Sequence, residues 1–65
     1  MNETCALRVG DMVEVCRIFM FEGTKWFPAT IVAVHPDRIE VKFKAPLDGF
    51  EYEALSFHSR GRNWR

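Results

Sequence analysis

Phe27, Phe43, Phe50 and Tyr52 lie close in sequence to the carboxylates of Glu22, Asp48 and Glu51. Ring faces beside a carboxylate attract a weakly hydrated cation, such as a methylated ammonium, by cation–π and Coulomb forces of about 0.5–2 kcal/mol per ring. Phe19 and Phe21 flank the same region in a loop over 19–24 with Gly23 as its turn residue. Aromatic rings in a connecting loop are unusual unless they contact something. The same rings also suit the core of a very small domain, which needs bulky filler. Catalysis has no comparable signal. His35 sits in a turn beside Pro36, and His58 lies near the basic tail. No Ser-His-acid, Cys-His or paired-carboxylate spacing is present, so no enzyme is expected. There is no phosphate-cradling glycine loop and no metal-ligand spacing, so no cofactor or metal is expected either.

The elements that must position these rings are strands. Val9-Gly10-Asp11 reads as a tight turn launching a strand over 11–18, with Val13 and Val15 inward. A second strand spans 25–34. Phe27, Ala29, Ile31 and Ala33 share one of its faces; Trp26, Thr30, Val32 and Val34 share the other. Two partly apolar faces suit a strand that bends through a barrel. Pro28 has no amide donor and predicts an edge or a bulge. His35-Pro-Asp-Arg38 is a turn. The third strand, 38–44, alternates Ile39, Val41 and Phe43 with Glu40, Lys42 and Lys44. Ala45-Pro-Leu-Asp-Gly49 is the next turn, and 50–55 the fourth strand. Phe57 to Arg60 is expected to give a closing turn or a short fifth strand, with 61–65 frayed. No helical periodicity of useful length is present. The pattern predicts one all-β domain, a small five-stranded barrel over 7–60 with flexible ends at 1–6 and 61–65.

Composition sets the remaining bounds. Sixty-five residues allow one domain, and its core is marginal at that size. Net charge is zero but unevenly spread. Residues 1–56 carry six basic and nine acidic groups; the last nine residues carry Arg60, Arg62 and Arg65 and no acid. The acidic body suits cationic partners and the basic tail suits anions. Cys5 and Cys16 do not form a disulfide framework, which points to a reducing compartment, cytosol or nucleus. Residues 1–9 lack the apolar run of a secretory leader, and no stretch is long and apolar enough to span a membrane.

Val9-Gly-Asp-Met-Val-Glu-Val15, Trp26-Phe-Pro-Ala-Thr-Ile31 and Val41-Lys-Phe43 resemble the Tudor and Agenet domains of the chromatin-reader superfamily. The likeness covers about residues 7–60. The Trp-Phe-Pro-Ala-Thr-Ile string is its more specific part; the Gly-Asp turn is common to many SH3-like barrels. The resemblance implies an SH3-like barrel that reads methylated lysine or arginine in a peptide such as a histone tail, in the nucleus, often in tandem with a second domain. It places cage aromatics at Phe27 and Phe43 and a polar partner near Asp48. The chain departs from the pattern at the first-strand aromatic, which falls on Arg17; Phe19 or Phe21 would have to replace it. The aromatic expected after Phe43 meets Ala45, Pro46 or Leu47, so Phe50 or Tyr52 would take its place. The alternative from the residues is a nucleic-acid-binding barrel, with Arg60, Arg62 and Arg65 on phosphates and Trp64 stacked on a base. A protein-interaction barrel without a working cage is a third reading.

Overall fold

The computed structural model describes residues 7–65. Four antiparallel strands, β1 (Met12–Phe19), β2 (Gly23–Val34), β3 (Arg38–Leu47) and β4 (Phe50–Ser56), follow one another in a single curled sheet of order β1-β2-β3-β4. The protein is all-β, and the sheet curls into a half-barrel. Each connection is a local hairpin. The lead-in is pinned as the Gly-Asp turn implies: Gly10 N–H donates to Ile31 O and Ile31 N–H to Asp11 O, both at 2.8 Å. The Arg8 amide donates to the Asp11 carboxylate at 3.0 Å.

The third hairpin is tighter than the sequence predicts. Ala45, Pro46 and Leu47 continue β3, and Leu47 pairs with Phe50. Only Asp48 and Gly49 form the turn, with φ of 53° and 83°. Positive φ at both central residues is the geometry that Asp-Gly supplies in a two-residue hairpin. The cost is a register shift between Lys42 and Leu47. Pro28 fits its context: β2 pairs with β3 only from Ala29 onward, so Pro28 has β1 on one side and no ladder partner on the other.

Alternation builds the core. Val13, Val15, Ala29, Ile31, Ile39, Val41, Phe43, Leu47 and Leu55 face inward and are buried. Val13, Val15, Ile31, Ile39 and Val41 are the residues expected to be buried from sequence. Ile31 is fully buried on β2, opposite Val41 on β3. Ile31→Val is expected to cost about 0.5–1.5 kcal/mol, the usual effect of one buried methyl group, read as a lowered urea midpoint at unchanged m-value.

Of the two readings for Phe57 to Arg60, the closing turn is the one seen: Phe57–Ser59 is a 3-10 turn and not a fifth strand. Residues 61–65 are not frayed: Trp64 is fully buried. The tail pairs with the outer edge of β1, with Glu14 N–H donating to Arg65 O and Cys16 N–H to Asn63 O at 2.7 Å, and Arg65 N–H returning to Glu14 O at 2.8 Å. The Trp64 indole N–H donates to Ser56 O at 2.8 Å. Trp64 thus joins β1 through its backbone and the end of β4 through its side chain. Burial of one large ring outweighs the charge of its arginine neighbours, whose heads stay in water.

Candidate functional site

The β1–β2 and β3–β4 hairpins lie at the same end of the sheet, as successive antiparallel pairing requires. Phe19 is the last residue of β1, not part of the loop. Its ring meets Phe27 edge-on, 6.0 Å between centroids at 74°. This is the edge-to-face arrangement that ring quadrupoles favour. Phe27 stands opposite Val15 and packs against the core while remaining partly exposed. The Lys25 ammonium lies 5.9 Å from the Phe19 centroid and pairs with Glu22. The two rings therefore form a corner that already borders one cation of the chain itself.

Arg17 points to the same face as Val15, because side chains two apart on a strand share a face. Its guanidinium forms an ion pair with Glu53 on β4. The two side chains are 32% and 30% exposed, so the pair is partly shielded from water. Arg17 also donates to Cys16 O at 3.0 Å. Glu53 is inward because it stands opposite Val41, just as Leu55 stands opposite Ile39. The pair spans the opening between β1 and β4 that the tail fills lower down. Arg17, Phe50, Tyr52 and Glu53 line a shallow hollow there of about 280 Å³.

The remaining candidates are spread more widely than expected. Phe43 is buried in the core and offers no ring face at the surface. Tyr52 stands opposite Lys42, whose ammonium lies 5.9 Å from its ring, so it is on the other side of β4 from Leu55. Phe43 and Tyr52 thus do not face each other in one cage. The register shift in the third hairpin is the reason. Phe50 and Tyr52 are 68% and 57% exposed, and Phe21 is 93% exposed at the hairpin tip. Asp48 is exposed in the turn and makes no ion pair among the described residues. Glu53 was missed from sequence; the signal that could have found it is its parity with Leu55, the most apolar residue of β4.

The tail candidates are partly committed to the fold. The Trp64 ring is buried, with the Arg60 guanidinium 5.3 Å from its centroid. Arg65 lies 3.9 Å from the Trp26 centroid, and its Nε donates to Glu14 at 2.9 Å. Arg62 is exposed. Cys5 lies outside the described residues, and Cys16 is a half-buried free thiol. Among the described residues no three His, Cys, Asp or Glu side chains converge as a metal site, and no helix is long and apolar enough to cross a membrane. Neither a family model, nor a curated protein, nor a solved structure matches this chain.

Proposed function

We propose that the protein is a non-catalytic, SH3-like binding module of Tudor or Agenet type, with the 63–65 segment as its short fifth strand. Its ligand is a cationic peptide carrying methylated lysine or arginine, a histone tail being the model case. The observation that carries this reading is the Phe19–Phe27 corner, 6.0 Å between rings, with an ammonium of the chain already beside it. Phe19 takes the place of the missing first-strand aromatic. The carboxylate is Glu53, across the opening, in place of Asp48.

Arg17 is then a competitor built into the site. A ligand cation approaching Glu53 meets a guanidinium that already neutralises it. Arg17→Leu is expected to raise affinity for a trimethyl-lysine peptide by roughly tenfold, or ~1.4 kcal/mol. The loss of an ion pair about one-third exposed should cost on the order of 1 kcal/mol of stability. Isothermal titration at matched ionic strength reads the first quantity and urea unfolding the second; unchanged or weaker binding would count against the assignment. The reading as a whole is tested by chemical-shift titration with mono-, di- and trimethylated lysine and arginine peptides. Shifts centred on Phe19, Phe27 and Glu53 support it, and no shifts with any of them remove it.

Less supports a phosphate-binding tail, since the Trp64 ring is buried and Arg65 is held by Trp26 and Glu14. Salt separates the two readings: phosphate contacts weaken steeply as salt rises, and ring contacts do so much less.

A further inference from the structure

Of the two outer edges of the sheet, the β1 edge is occupied by residues 63–65. The β4 edge has no strand beside it among the described residues. An open edge presents a row of backbone N–H and C=O groups able to pair with another chain. Natural edges are guarded by Pro, Lys, bulges or shortness. β4 runs for seven residues, Phe-Glu-Tyr-Glu-Ala-Leu-Ser, with no Pro, Gly or Lys. Its only guards are glutamates.

Those glutamates select the partner. An antiparallel second copy centred on Glu51, Tyr52 or Glu53 would set glutamate opposite glutamate, which is destabilising. A basic strand would instead set lysine or arginine beside Glu51, which makes no ion pair among the described residues, and beside Glu53, which it would share with Arg17. Hollows flank the strand at the same point. One is lined by Arg17, Phe50, Tyr52 and Glu53, the other by Glu40, Tyr52, Glu53 and Ala54. Side chains of an added strand alternate between two sides: here one side meets Glu51 and Glu53, and the other meets Phe50, Tyr52 and Ala54. Strand addition works in this way, with main-chain bonds giving affinity and flanking hollows giving specificity.

We infer that the free edge of β4 accepts an extended basic segment of a partner protein as an added strand, with its cationic side chains at alternate positions beside Glu51 and Glu53. The charge of the partner rests on the cationic-peptide reading above; the backbone pairing does not.

The test uses an acetylated and amidated peptide of four Lys-Val repeats, added to the isotopically labelled chain. Two controls are the same peptide with alternate backbone amides N-methylated and a Glu-Val counterpart. The inference expects slowed amide exchange at alternate positions of Phe50–Ser56. It also expects at least tenfold weaker binding of the N-methylated peptide and no binding of the Glu-Val one. Glu51→Lys alters an exposed side chain and should weaken the Lys-Val peptide at least fivefold with the fold retained. Equal binding of the N-methylated peptide, with shifts confined to Arg17, Phe19 and Phe27, would overturn edge pairing and leave the mouth reading standing. No binding of any cationic peptide, methylated ones included, would remove both. Protection of β4 that grows with the chain's own concentration would assign the edge to a second copy and overturn the inference.

Discussion

Trp64→Ala is expected to leave the chain largely unfolded at 25 °C. The indole is fully buried, lies 6.3 Å from the Phe57 ring, and spends its one donor on Ser56 O. Removing a buried Trp or Phe typically costs about 3–5 kcal/mol. A domain of this size rarely holds more than about 3–5 kcal/mol in total. The two quantities are equal, so the variant should lose its cooperative transition. Far-UV circular dichroism and the dispersion of amide resonances check this. Trp64→Phe keeps an aromatic ring but loses the indole N–H bond to Ser56 O, which retains the Ser59 hydroxyl as a donor at 3.0 Å, and should fall between the two. A Trp64→Ala variant with the parent's urea midpoint would mean that the tail is not part of the core.

The second large effect is on binding. Phe27→Leu is expected to retain the fold and reduce affinity for a methylated peptide by tenfold or more. Leucine keeps most of the apolar volume that Phe27 packs on the core, while the π face is lost. One ring contributes about 0.5–2 kcal/mol to holding a cation, and tenfold corresponds to ~1.4 kcal/mol. Phe27→Ala would mix this loss with a packing cost, because the ring touches both the core and Phe19. Titration of the leucine variant against the parent, with unfolding midpoints measured for both, separates the terms. Full affinity in a folded Phe27→Leu would place the ligand elsewhere.

Much of the fold is legible in the residues. Alternation in 39–43 assigns the inward face of β3, because its two faces are clearly apolar and clearly charged; Val13 and Val15 mark that face on β1 and Ile31 on β2, where both faces are partly apolar. β4 is less clear. Phe50, Tyr52 and Ala54 are the more apolar set, yet Leu55 faces in and carries Glu53 with it. The register shift of the Asp48-Gly49 hairpin decides that facing, and a shift in pairing register has no local hydrophobic signature. Arg17–Glu53 was hidden for the same reason: the two are 36 residues apart and meet only once the parity of β4 is known. Trp64 was hidden by its neighbours. A lone aromatic among arginines carries no periodicity, and nothing nearby in sequence reveals that Val15 and Ser56 await it.

The hydrogen bonds between Glu14 and Arg65 join residues 51 apart in sequence, whereas every strand pairing in the sheet is a local hairpin. Local contacts form early and long loops close late. A chain growing from a ribosome would therefore hold an open sheet, its apolar inner face uncovered, until Trp64 had cleared the exit tunnel. Productive folding then becomes a matter of the last few residues synthesised in this span. Stalled chains carrying this sequence only to residue 56, followed by a linker long enough to fill the tunnel, should remain sensitive to protease and recruit chaperones, and chains carrying it to residue 65 before the same linker should not.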